Sequence, residues 1–164
     1  MAKAEAGRFT AAYSGSLVVF IIGMSVNRWW AVHRWLPVFR AMGPMIAELY
    51  KNKELGFLDM QFALSPKGPI LIQYWRSYDQ LEHYARHGAK HLKAWRDFNT
   101  KAAKSHAVGV FHETYIVDEG KYESVYVNMP KFGLGRVAGL APATGPRETA
   151  RRRLGGQNEP AVAE

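Results

Sequence analysis

The run LVVFIIGMSV at residues 17–26 limits the possible fold more than any other stretch of the chain. Its β-branched residues favour extended backbone, and successive side chains of a strand point to opposite faces. Leu17, Val19 and Ile21 fall on one face, and Val18, Phe20 and Ile22 on the other. A strand apolar on both sides has to be covered on both, so it belongs in the interior of a sheet. The run is also too short for a bilayer span, which takes about 20 residues. No small-residue cleavage site of the secretory kind comes after it. A cytoplasmic protein with no membrane partner is expected.

A strand over 16–26 leads into WWAVHRWLPVFRAMGPMIAELY, where Leu36, Phe39, Gly43, Ile46 and Tyr50 recur at helical spacing. Asn27 is placed to cap the first helix. Proline lacks a backbone N–H, so a short helix is expected to stop before Pro37 and a longer one to open on it. LGFLDMQFAL (55–64) alternates apolar and polar residues, PILIQYW (69–75) is extended, and SPKGP between them makes the pair a hairpin. Ser77 and Gln80 form a capping box for a helix that carries Leu81, Tyr84 and Ala85 inward. Gly88 interrupts it, and a second helical piece carries His91, Leu92, Trp95 and Phe98. Strands are expected at 107–117 and 121–129. Residues 1–15 read as a loose arm and 137–164, rich in Gly, Pro, Ala and Arg, as an irregular or disordered tail, which leaves 16–136 as the domain.

This order defines an α+β chain of the ferredoxin-like βαββαβ kind with an extra strand. Both helices lie on one side of such a sheet, yet the strands are apolar on two sides. A second copy, sheet against sheet, is the economical cover, so a homodimer is expected. The net charge of +8 does not argue for nucleic acid, because the cations are scattered apart from Arg151, Arg152 and Arg153. The absence of cysteine excludes disulfides, thiolate metal sites and cysteine nucleophiles.

His83, His87 and His91 stand four apart, the spacing of one helical face. With Gly88 between the last two, that face does not run on as one ladder. His83 and His87 fall among Glu82, Arg86 and Lys90, on a solvated side, whereas His91 shares a stripe with Leu92, Trp95 and Phe98. Structural zinc needs four convergent nitrogen or sulfur ligands, which this chain lacks. Heme needs one axial imidazole, an apolar slot and cations for its propionates. Polar residues at strand positions otherwise reserved for the core mark a pocket: Ser25 and Asn27 beside Gly23, Gln73 beside Trp75, His112, and Tyr126 beside Asn128. Gly23 has no side chain and so leaves room for a guest. Trp95 adds an aromatic wall.

VVFIIGMSVN, WLPVFRAM, ELGFLDMQF, QYWRSYDQLEHYAR, HLKAWRDFN, GVFHETY and YVNMPKFGLG, in that order, resemble a monooxygenase-like family named for a member of fumagillin biosynthesis and otherwise a domain of unknown function. The resemblance spans about residues 16–136. It extends to the dimeric α+β barrel group, which includes antibiotic-biosynthesis and heme-degrading monooxygenases, chlorite dismutases and aldoxime dehydratases. It implies an oxidoreductase acting on an apolar small molecule, in specialised metabolism. By the pattern of heme-degrading members, His91 corresponds approximately to the histidine that binds heme iron. Asn27 stands at the distal position and Trp75 at the tryptophan ending the third strand, with Arg28 or Arg34 to pair a propionate. Other members use no cofactor; there Asn27, Trp75, His112 and Tyr126 would orient substrate, with His112 as general base. A heme lyase with His112 as distal acid, and a non-catalytic heme or small-molecule binding dimer, remain open beside these.

Overall fold

The structure, a computed structural model, describes residues 3–157; the outermost parts of the expected arm and tail, 1–2 and 158–164, lie outside the described residues. In chain order it contains β1 (Glu5–Ala11), β2 (Leu17–Val26), α1 (Val32–Lys51), β3 (Phe57–Ser65), β4 (Gly68–Trp75), α2 (Tyr78–His87), α3 (Ala89–Asp97), β5 (Val108–Val117), β6 (Tyr126–Met129), α4 (Leu134–Ala138), β7 (Leu140–Pro142) and α5 (Ala150–Arg153). The chain divides into two compact units, Val18–Ile116 and the segments on either side of it.

The Val18–Ile116 unit holds a four-stranded sheet in the order β3-β4-β2-β5. Its sequence of strand, helix, strand, strand, helices, strand, with the first and third strands central, is the ferredoxin-like arrangement. The doubly apolar β2 lies inside the sheet, between β4 and β5. Antiparallel pairing sets Val18 opposite Trp75, Phe20 opposite Gln73 and Ile22 opposite Leu71, and opposed residues share a face. Over that face the helices bury a cluster of Val18, Leu49, Phe57, Trp75, Leu81 and Tyr84. A second cluster gathers Met24, Val26, Ala102 and Val108, with Trp35, Val38 and Phe98 packed against it. On the opposite face, Val19, Ile21, Ile72 and Tyr74 are only half-buried, and Phe111 and Tyr115 of β5 are exposed.

Local signals account for several boundaries. The Ser77 hydroxyl accepts the backbone N–H of Gln80 at 3.2 Å and starts α2, and Gly88, in extended backbone, separates α2 from α3. Other expectations need correction. One helix runs through both Pro37 and Pro44. Each proline removes one backbone bond, and the apolar stripe that α1 lays on the sheet outweighs that loss. Asn27 does not cap it; Ala31 precedes α1 and offers no side-chain cap.

In the other unit, residues 5–11 form a strand rather than a loose arm, paired with β6 on one side and β7 on the other. The expected strand at 121–129 is shorter, Tyr126–Met129, and belongs to this three-stranded sheet. The region beyond 137 is not irregular throughout: it contributes the end of α4, β7 and α5. The pairings of β1 join residues more than a hundred positions apart, so no local pattern announces them. Arg153 is held by Glu123 at 2.7 Å and by the carbonyls of Arg147 and Glu148.

Candidate functional site

Between the helices and the sheet of the Val18–Ile116 unit lies a cavity of about 1150 Å³. Helix α1 contributes Val38, Met42, Met45, Ile46 and Leu49 at spacings of three and four, so one helical face forms that wall. Helices α2 and α3 contribute Leu81, Tyr84, His91, Trp95 and, on the π-helical turn after α3, Phe98. The sheet supplies Phe20, Ile22, Leu71, Gln73 and Trp75, and β5 adds His112 and Thr114. Unbranched methionines and a few aromatic planes make such a chamber suited to an apolar guest of varied shape.

The polar groups in this wall are few and set by their neighbours. His91 Nδ1 lies 2.9 Å from the carbonyl oxygen of Ala85. A carbonyl only accepts, so Nδ1 is the donor in this contact and Nε2 is the nitrogen left free of it. The Trp75 indole donates to Gln73 Oε1 at 2.9 Å, which leaves the Gln73 amide NH2 as the donor available to a guest. Phe20 lies opposite Gln73 on one side and packs its ring 5.5 Å from His112 on the other. Gln73, Phe20 and His112 therefore form a row across three adjacent strands. His87 and Arg86 also reach the lining; Arg86 pairs with Glu82 at 3.0 Å, and His87 stacks on His83. Among the described residues, no three His, Asp or Glu side chains gather as a metal site.

Tyr84 closes the floor, donating to Glu48 Oε2 at 3.1 Å. Burial first, and then the Glu48 carboxylate, push its hydroxyl well above the usual tyrosine value of 10.0. A raised value means that the unfolded chain loses this proton first as pH rises. The stabilising contribution is whole below pH 10 and declines above it. Urea midpoints measured from pH 9 to 11 should therefore fall more steeply for the native chain than for Tyr84→Phe.

The structure unites some of the expected site residues and separates others. His91, Trp75, Gln73, Gly23, Trp95 and His112 all line the cavity. Asn27, Ser25, Arg28 and Arg34 are not part of its lining. Asn27 accepts from Ser25 at 2.8 Å and donates to the His106 carbonyl at 3.2 Å, so the pair fastens the end of β2 to the loop before β5. Arg34 donates to the Lys101 carbonyl at 2.7 Å. Tyr126 and Asn128 belong to the other unit, where Tyr126 accepts from the Gly135 N–H and Asn128 from the Gly7 N–H. The space expected beside Gly23 is taken: a Cβ there would come within 2.7 Å of the Phe111 ring. Met42, Met45 and Leu49, Arg86 and His87 were missed as wall residues. The helical stripe in α1 was the available signal for the first three.

A ferredoxin-like sheet whose helices roof an apolar chamber, with an oriented imidazole and an amide in its wall, places the chain in the α+β class. Comparison with known proteins narrows this. The sequence profile of the monooxygenase af470-like family matches residues 17–134. The chain belongs to that family. It is 33% identical over 131 residues to monooxygenase af470 of Aspergillus fumigatus, across 74% of this chain and 46% of the relative. The chain thus spans about half the length of that curated relative. Among solved structures, the aldoxime dehydratase OxdRE in complex with butyraldoxime superposes with a TM-score of 0.67 at 21% identity, over 84% of this chain and 42% of that one. A second aldoxime dehydratase structure gives 0.67 at 22%, over 85% and 43%. At those identities the likeness concerns the fold.

Proposed function

We propose that this chain is an oxidoreductase of the small-monooxygenase type that takes an apolar small molecule into the cavity beneath its helices, uses heme held by His91, and works as a homodimer in specialised metabolism. The observation that carries the reading is the His91 imidazole, oriented by the Ala85 carbonyl through Nδ1, in the wall of a roughly 1150 Å³ apolar chamber. A metal-binding histidine characteristically donates its other N–H to such an acceptor, which fixes the ring and raises its basicity. The chamber exceeds the upper end of drug-sized sites, about 1000 Å³, so it has room for a flat cofactor and a guest together.

The residues present fit heme with one change from the sequence expectation. Arg86, which reaches the lining, replaces Arg28 and Arg34 as the cation for a propionate. Trp75 and Tyr84, 5.9 Å apart, supply aromatic walls. When bound, heme supplies redox and Lewis-acid chemistry at its iron. The chain's own part is to bind and orient: Met42, Met45 and Leu49 exclude water, Gln73 offers its amide N–H to a guest oxygen, and His112 can hold or release a proton. The half-exposed apolar face of the sheet supports a second copy as its cover.

A cofactor-free reading is favoured by the row of Gln73, Phe20 and His112. In it His112 removes a proton from an electron-rich substrate while Gln73 steadies the charge that develops. Absorption separates the two. Protein from heme-sufficient cells should show a Soret band that His91→Ala abolishes and His112→Ala keeps, and it should sediment at twice 18.5 kDa. A colourless protein that binds no added hemin would leave the His112 reading, and a band unchanged in His91→Ala would remove His91 as ligand.

A further inference from the structure

At the end of the sheet where β2 stops, three loops are joined by hydrogen bonds. The Val26 N–H donates to the Lys67 carbonyl at 2.6 Å, and the N–H groups of Asn27 and Arg28 both donate to the Ala107 carbonyl at 2.9 and 3.1 Å. Arg34 adds its bond to the Lys101 carbonyl. Residues 24–36, 62–69 and 98–109 thus converge on one end of this unit, and none of these segments contains an aspartate or glutamate. They do contain Arg28, Arg34, Lys67, Lys101 and Lys104. The nearest carboxylate along these segments, Asp97, is already bound by Lys93 and Lys101. Among the described residues, the other four cations have no acidic partner.

The same end exposes large apolar side chains. Trp30 is 80% exposed and Leu64 76%, and Trp29 and Phe62 are more than half exposed. Trp29 is held in place, because the Trp35 indole donates to its carbonyl and the two rings meet edge to face. Indole rings favour the headgroup level of a bilayer, where one edge is wet and the body is apolar, and lysine and arginine are drawn to anionic lipid.

We infer that this acid-free rim of Trp29, Trp30, Leu64, Arg28, Lys67 and Lys104 docks the protein peripherally on an anionic lipid surface. No helix among the described residues is long and apolar enough to cross a membrane, so the contact is superficial, a departure from the sequence expectation of no membrane partner. Nucleic acid would use the cations but has no use for Leu64 and Phe62. Met24, Val38 and Phe98 belong both to the cluster under this rim and to the cavity wall. Docking therefore sets that wall beside the lipid, a route for an apolar guest. The docking itself does not rest on what that guest is.

The test uses the full chain with extruded vesicles of phosphatidylcholine containing about one-third phosphatidylserine, against pure phosphatidylcholine. The protein should co-sediment with the anionic vesicles. Because each basic residue near such a surface contributes about fivefold to partitioning, the combined Arg28→Gln, Lys67→Gln and Lys104→Gln variant should lose about a hundredfold. Trp30→Ala should lose several-fold and melt like the native chain, since the ring is exposed. Arg151→Gln with Arg152→Gln should bind as before. The inference falls if the chain stays in the supernatant, if the tail variant and not the rim variant releases it, or if it binds a DNA duplex more tightly than vesicles at the same salt. It falls equally if Trp30→Ala lowers the sedimenting mass instead of the partitioning, which would give the rim to a second copy.

Discussion

Trp75→Ala should destabilise the protein by about 4 kcal/mol, the middle of the range for removing a buried large aromatic side chain. Trp75 is 1% exposed and sits edge to face against Phe57, with Tyr84 on another side. Truncation opens a void among Val18, Leu49 and Leu81, which the two-layer packing cannot close without moving a helix. It also removes the donor to Gln73, a buried amide. For a chain of this length, 4 kcal/mol lowers Tm by about 8–16 °C. Trp95→Ala makes the internal control: Trp95 is 52% exposed, and its loss should shift Tm by no more than about 3 °C. If both variants melted alike, Trp75 would not be the centre of the core, and the alignment of β2 with β4 would be wrong.

Gly68→Ala should cost about 3 kcal/mol for two separate reasons. Gly68 has φ +149°, a conformation residues with a side chain rarely adopt, and a Cβ there would stand 2.5 Å from the backbone carbonyl oxygen of Met24. That obstacle is main chain of the neighbouring strand, so it cannot swing aside. The same turn is tied by the Ser65 hydroxyl, which accepts the N–H groups of Lys67 and Gly68 and donates to the Gly68 carbonyl. Gly109→Ala, in β5, provides the contrast. Its Cβ would meet only Asn27 Nδ2, at 3.9 Å, and its φ is ordinary, so it should be neutral or slightly stabilising. Urea midpoints of the two variants, measured side by side, test whether the turn has the conformation described. Equal midpoints would show that it does not.

How much of this was readable beforehand depended on the range of the interactions. The β3–β4 hairpin, the Ser77 cap and the Gly88 break rest on residues within a few positions of one another, and each was legible as a pattern. The ferredoxin-like order emerged from the succession of such patterns. Proline misled, because its local cost is visible in the sequence while the sheet face that compensates along α1 is not. Of the site, His91, Gln73, Trp75, Trp95 and His112 were recognised as polar or aromatic positions facing the core. Asn27 and Tyr126 had the same signature, yet their side chains satisfy loops elsewhere.

Residue order alone established the periodicities, and with them which segments become strands, which become helices, and which faces must be covered. Folding in three dimensions settled the matters that depend on distant partners. It pinned residues 5–11 between strands from the far end of the chain, filled the space beside Gly23 with Phe111, and oriented the His91 ring against the Ala85 carbonyl. Backbone preference is a property of neighbours along the chain, whereas a cavity and the orientation of a ring depend on atoms that only packing brings together.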